Sequence, residues 1–128
     1  MFWKNFLTFA LCVAMMGWSG ASHAQLAYLP DATPEGVKYV VISGRLSSAD
    51  NLDEFASVVR SHNPAIVSFN SSGGNVLKAM ELGRMIRAFR LDTIQFRSLE
   101  CMSACALAFL GGVERYAEPG SIGVHQTS

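Results

Sequence analysis

A serine, a histidine and a pair of glycines are the residues of this 128-residue chain whose types could do chemistry together. Ser103 stands in Glu100-Cys101-Met102-Ser103-Ala104-Cys105-Ala106, at the head of an apolar run from Ala104 to Leu110. A serine there has two uses. Its hydroxyl can cap the helix that the run predicts, accepting from the first free N–H groups. Or it is a nucleophile held at a strand-to-helix turn, with backbone N–H groups beside it to stabilise an oxyanion. His125 ends a later apolar run. A lone histidine there can be a hydrogen-bonded structural residue. An imidazole also exchanges protons near neutral pH, which suits it to take the proton of a serine. Gly73-Gly74 lies between an apolar run and a helical pattern. Two glycines let a backbone adopt positive φ, approach a ligand and present N–H groups, or simply make a tight turn. The Gly-Lys-Ser/Thr ending of a phosphate loop is absent. His62, beside Asn63-Pro64, reads as exposed and structural.

The elements that must position these residues follow from the hydrophobic pattern. The stretch 25–37 carries two prolines and a glycine and reads as an irregular lead-in. Lys38 to Ser43 is a β-branched run, a strand buried on both faces. A helix capped by Ser48 or Asp50 runs to about Ser61, with Leu52, Phe55, Ala56, Val58 and Val59 on its apolar side, and Asn63-Pro64 stops it. Ala65 to Phe69 is a second buried strand leading into Asn70-Ser71-Ser72-Gly73-Gly74. A helix from about Val76 to Phe89 follows, with Val76, Met80, Gly83, Met85 and Ile86 toward the core. Thr93 to Phe96 is a third strand, Ala104 to Leu110 a third helix closed by Gly111-Gly112. Arg115-Tyr116-Ala117 and Ile122 to His125 read as two further short strands. Alternating strands and helices indicate a parallel sheet with helices packed on it. Sites on such sheets gather at the carboxyl ends of the strands, so the Gly73-Gly74 loop and the Ser103 turn should share one edge.

Composition bounds the function classes. Ten basic and ten acidic residues balance. No basic patch points to nucleic acid, and no charge run or low-complexity segment points to disorder. Residues 1–24 read as a secretory leader: Lys4, an apolar run from Phe6 to Trp18, and the small-x-small end Ser22-His23-Ala24. Cleavage is expected after Ala24. The apolar run is shorter than the roughly 20 residues of a spanning helix, so no stable membrane span is expected after cleavage. Leu11 before Cys12 is too large for a lipoprotein signal. Cys101 and Cys105 would then sit in a periplasmic or secreted setting, where disulfides persist. They are spaced to bridge across one helical turn, or to lie reduced as small buried hydrophobes. Two cysteines without a second pair do not complete a zinc site, and no metal or other cofactor is expected.

Taken together, Asn70-Ser71-Ser72-Gly73-Gly74, Met102-Ser103-Ala104 and Gly123-Val124-His125-Gln126 resemble the Clp protease proteolytic subunit, within the ClpP/crotonase superfamily. That family has an Asn-Ser-Pro-Gly-Gly loop, an Ala-Ser-Met turn and an Ile-His-Gln-Pro strand end. The 29 positions from Gly74 to Ser103 match its spacing, and the 22 from Ser103 to His125 are slightly fewer. The resemblance covers about Tyr39 to Gln126. It implies an α/β fold of repeated ββα-type units over residues 38–128, with its C-terminal part and the triad acid beyond Ser128, so the chain reads as a fragment. Asp92, Glu100 and Glu118 are earlier acidic residues, and nothing in the sequence assigns one to the site. Ser103 would be the nucleophile and His125 its base. The N–H groups of Gly74 and Ala104 would form the oxyanion hole of a serine peptidase acting on polypeptide. Homo-oligomerisation goes with the superfamily. Export removes the chain from ATP, so no ATPase partner is expected. Two competing readings are a catalytically inactive binding or assembly module and a crotonase-type acyl-CoA enzyme. Export and the Ser–His pair argue against the last.

Overall fold

The computed structural model describes residues 26–125. The expected leader and its cleavage point lie outside these residues. The order is β1 (Ala27–Ala32), β2 (Lys38–Ser43), α1 (Asp53–His62), β3 (Ile66–Asn70), α2 (Val76–Ala88), β4 (Asp92–Gln95), α3 (Cys105–Phe109) and β5 (Arg115–Ala117). The result is a mixed α/β fold, one five-stranded sheet in the order β1-β2-β3-β4-β5 with three helices.

The stretch expected to be irregular instead forms β1, antiparallel to β2 with Ala27 opposite Ser43 and Ala32 opposite Lys38. The prolines misled because position matters more than presence. Pro30 sits in an edge strand, where a missing N–H costs no ladder bond on the open side. Pro34 and Gly36 lie in the hairpin loop, closed by Gly36 N–H to Thr33 O at 2.8 Å and Thr33 N–H to Val37 O at 2.9 Å. So short a link permits only an antiparallel return, since a parallel pair needs a crossover of a dozen residues or more. The sheet is therefore mixed rather than wholly parallel.

From β2 onward every pairing is parallel and every crossover steps to the next position. Right-handed crossovers that always step the same way leave their helices on one face. The burial agrees. Val40, Ile42, Val67, Phe69, Thr93 and Gln95 are at most 1% exposed and alternate along their strands. Their neighbours Tyr39, Val41, Ile66 and Ile94 are half-buried on the opposite face, where they line a groove with Phe96 and Leu99. On the covered face, Phe55 of α1 packs 5.7 Å from the Tyr28 ring and edge-on to Phe89 at 6.1 Å.

Helix α1 buries Phe55, Ala56 and Val59, as its pattern predicts, and ends at Asn63 in the left-handed conformation. Its start is three residues later than Asp50. Asp50 instead holds the preceding loop by accepting from the Ser47 N–H, and Asn51 Oδ1 accepts from the Asp53 N–H at 2.9 Å. Helix α2 keeps Gly83 and Ile86 of the expected stripe, with Met85 half-buried against the core, and replaces the rest. Ala79, Leu82, Gly83 and Ile86 face the core, while Val76 and Met80 are 47% and 37% exposed. The i, i+3, i+4, i+7 set built on a small residue wins because α3 approaches α2 backbone to backbone. A Cβ on Gly111 would lie 2.1 Å from the Gly83 carbonyl oxygen. The expected strand from Ile122 to His125 is reduced to a single bridge, Met102 to Gly123. Among the described residues no helix is long and apolar enough to cross a membrane.

Candidate active site

The loops that follow β2, β3 and β4, with the segment past β5, meet at the carboxyl edge of the sheet. They join through isolated parallel bridges, Leu46 to Gly74, Ser71 to Cys101 and Met102 to Gly123. The shared edge expected for the Gly73-Gly74 loop and the Ser103 turn is therefore present. The hydrogen bonds run through the set: Leu46 N–H to Gly73 O at 2.8 Å, Met102 N–H to Ser71 O at 3.0 Å and Ser103 N–H to Gly123 O at 2.7 Å.

Two buried polar side chains allow β3 and β4 to separate toward this edge. Their ladder is short, Ile66 to Asp92 and Val67 to Thr93. Beyond it the Gln95 amide stands in for a strand. Its Oε1 accepts from the Phe69 N–H at 3.1 Å, and its Nε2 donates to Phe69 O at 2.9 Å and Leu99 O at 3.3 Å. Ser68 Oγ donates to Ile94 O at 2.7 Å. Asn70 Oδ1 accepts from the Glu100 N–H at 3.2 Å, tying the two loops together at their roots. Sequence reasoning missed Gln95 and Asn70 as supports. A glutamine within an otherwise apolar strand is the signal that points to such a role.

The glycine loop is shaped by its own side chains at both ends. Ser71 Oγ accepts from the Gly73 N–H at 3.1 Å. Asn75 Oδ1 accepts from the Lys78 N–H at 2.8 Å and caps α2. Between them Gly73 and Gly74 have φ of 101° and 131°, which L side chains rarely adopt. The loop is also pressed on both sides. A Cβ on Gly73 would lie 2.7 Å from Met102 O and 2.9 Å from Ser103 Cβ, and one on Gly74 would lie 2.1 Å from Leu46 O.

Ser103 has φ of 57°. A non-glycine residue in this region costs about 1–2 kcal/mol, so the surroundings must impose it. Three constraints do. The Ser103 N–H is bound to Gly123, Gly73 packs beneath its Cβ, and a disulfide joins Cys101 to Cys105 across the turn, with Cα atoms 5.3 Å apart. Both cysteines are fully buried. The capping use of Ser103 is not what the structure has: the cap position of α3 is Ala104, without a side-chain cap bond. Ser103 itself is half-buried at the surface of the edge.

Among the described residues, the N–H groups of Gly74 and Ala104 donate to no protein acceptor. The atom a Cβ on Gly73 would meet third is the Ala104 nitrogen, at 3.1 Å, so the two loops bring these N–H groups to one neighbourhood. His125 is exposed and lies two residues beyond Gly123, whose carbonyl holds Ser103. His62 is not part of this edge; its Nε2 sits 2.8 Å from Asp31 O and ties the end of α1 to β1. Of the acidic residues, Asp92 is at the far end of β4, where its Oδ1 accepts from the Glu114 N–H, and Glu118 accepts from the Arg97 N–H. Glu100 is exposed beside Cys101. Among the described residues no group of three metal-ligating side chains occurs.

No family model and no curated protein matches the sequence. Among solved structures, the chain is similar to a variant of the 1510-N membrane-bound stomatin-specific protease, with 19% identity and a TM-score of 0.46. The match covers 64% of this chain and 44% of that one, so this chain spans less than half the length of that structure.

Proposed function

We propose that the chain is an exported ClpP-like serine hydrolase of the ClpP/crotonase superfamily, acting on polypeptide in the periplasm or outside the cell. The observation that carries this reading is the Ser103 turn. A serine in a left-handed conformation, stapled by a disulfide, lies against a Gly-Gly loop whose Gly74 N–H, like that of Ala104, meets no acceptor among the described residues. Asn63 and Arg90 take a similar φ where α1 and α2 end; Ser103 differs from them in standing against the Gly-Gly loop.

In the mechanism Ser103 Oγ attacks the substrate carbonyl carbon and His125 takes the hydroxyl proton. The oxygen that becomes negative accepts from the Gly74 and Ala104 N–H groups. Fixed donors of this kind are worth about 10²–10³ in rate each, because they need no reorganisation as charge develops. His125 then gives its proton to the leaving amine. Water, deprotonated by the same histidine, releases the acyl group and restores Ser103.

The test is labelling of the folded protein with a fluorophosphonate probe. Labelling is expected for the native sequence, and is expected to disappear in Ser103→Ala and His125→Ala while persisting in His62→Ala. Absence of labelling from a protein that melts cooperatively would overturn this reading in favour of a catalytically inactive ClpP-like binding or assembly module.

A further inference from the structure

Gln95 stands where the sheet forks. Strand β4 pairs with β3 only through Asp92 and Thr93, while its pairing with β5 continues to Gln95, opposite Ala117. Past the fork the chain loops away and returns at Glu100 to lie beside Ser71. There the Ser71 N–H donates to Glu100 O at 2.7 Å, and the Met102 N–H donates to Ser71 O at 3.0 Å. Between ladder and bridge, Phe69 faces a side chain instead of a strand. A primary amide is the side-chain counterpart of a peptide group, with an acceptor oxygen and two donor hydrogens. The Gln95 oxygen takes the Phe69 N–H, and its nitrogen donates to Phe69 O and to Leu99 O. Gln95 is fully buried. Glutamate has the same length but no donor when ionised, and methionine has no donor at all.

The amide holds the roots of both loops. Phe69 is four residues before Gly73, and Leu99 is four residues before Ser103. A continued β3–β4 ladder would pair Phe69 by backbone alone. The amide in its place leaves room for Glu100 to Met102 beside Ser71, and that segment brings the Ser103 turn against Gly73. We propose that Gln95 is a positioning residue of the candidate active site. By holding Phe69 and Leu99 it sets how far the Gly74 N–H stands from Ser103 Oγ and from the Ala104 N–H. The inference rests on the reading of Ser103 as the nucleophile and deepens it. Gln95 touches no reacting atom and acts through the two backbone segments. A misplacement of about 1 Å between reacting groups costs about 10²-fold in rate.

The experiment follows fluorophosphonate labelling of the full chain, separating the rate constant of the covalent step, kinact, from probe affinity, KI. The native protein is measured first; no labelling of the folded chain would overturn the Ser103 reading and this inference with it. Gln95→Met keeps the length and removes the bonds. It is expected to lower kinact about 10²-fold with KI unchanged. Gln95→Glu adds a pH profile that a merely structural role would not produce. Ionised, its carboxylate accepts from the Phe69 N–H but has no donor for the carbonyls of Phe69 and Leu99; protonated, it donates to one of them. Burial beside carbonyl oxygens raises the pKa of such a carboxyl. Its kinact is taken as a ratio to the native value at the same pH, so that titration of His125 cancels. That ratio should rise at least about tenfold from about pH 9 to about pH 5. Urea melts check that each variant is folded at each pH, and Gln95→Met, with no charge to bury, decides the question if Gln95→Glu does not fold. Thr93→Val removes a buried bond away from the edge, Thr93 Oγ1 to Phe109 O at 2.8 Å, and should lower stability with kinact unchanged. Native kinact in the folded Gln95 variants would overturn the inference. So would a pH-independent ratio for folded Gln95→Glu, or an equal loss of kinact in Thr93→Val, because either assigns Gln95 to general stability.

Discussion

The loop after β3 and the loop after β4 solve one problem in two ways. Each must leave its strand, turn sharply and present backbone N–H groups at the carboxyl edge. The first uses glycine: Gly73 and Gly74 take φ of 101° and 131° without steric cost. The second has no glycine and needs a side chain at the turn. Ser103 is held at φ 57° by the Cys101–Cys105 disulfide, by the hydrogen bond to Gly123 and by contact with Gly73. A loop built on glycine relies on permissive residues, whereas a loop with a side chain at the same kind of turn has to be held there. The difference gives the two loops different weak points.

The largest effect is expected where the permissive loop loses its permission. Gly74→Ala adds a Cβ 2.1 Å from Leu46 O, at a φ of 131°. Leu46 is itself bonded to Gly73 and Asn75 and has no room to yield. Backbone strain and overpacking together cost about 3–5 kcal/mol. A urea melt should show the midpoint fall accordingly. A Gly74→Ala protein as stable as the native one would mean that the loop can be rebuilt without glycine, and the contrast between the loops would collapse.

The second effect removes the staple. Replacing both Cys101 and Cys105 by alanine should lower stability by about 2 kcal/mol, the chain-entropy value for so short a closed loop. The damage should concentrate on the turn. Hydrogen exchange at the Ser103 N–H should accelerate more than exchange at the β2–β3 ladder, and fluorophosphonate labelling should fall. Reduction of the native protein should reproduce the labelling loss. Uniform acceleration of exchange would assign the bridge to global stability and leave the turn to its hydrogen bonds.

The two loops were unequally legible in the sequence. Gly73-Gly74, between an apolar run and a helix pattern, announces itself because glycine pairs have few other uses there. That the loops share an edge followed from strand alternation alone. Ser103 was visible as a residue but not as a conformation, because nothing local distinguishes a capping serine from one twisted into the left-handed region. The constraint comes from Gly73, thirty positions earlier, and from Gly123. Gln95 stayed hidden for a similar reason, since its three backbone partners belong to Phe69 and Leu99 and exist only once β3 and β4 are side by side. Strand β1 was lost to its prolines, whose edge and loop placement is a property of the sheet rather than of the segment. Gly83 and Ile86 of α2 face the core as expected, but Val76 and Met80 do not, because a large side chain outranks Ala79 in a local pattern while packing against α3 prefers the small one.

The smallest effect separates strain from chemistry at Ser103. Glycine in its place relieves about 1–2 kcal/mol of left-handed strain but adds about 0.5–1 kcal/mol of unfolded-state freedom. Ser103→Gly should therefore be more stable than the native protein by about 0.5–1 kcal/mol, while giving no labelling. Ser103→Ala keeps the Cβ and the strain, so it should lose labelling with no gain in stability. The difference between the two variants, read from urea midpoints at constant slope, measures what the turn spends to hold a hydroxyl in place. If Ser103→Gly gains nothing over Ser103→Ala, the left-handed conformation is not strained in this setting. The second loop would then be as permissive as the first, and the stapling by Cys101–Cys105 would need another explanation.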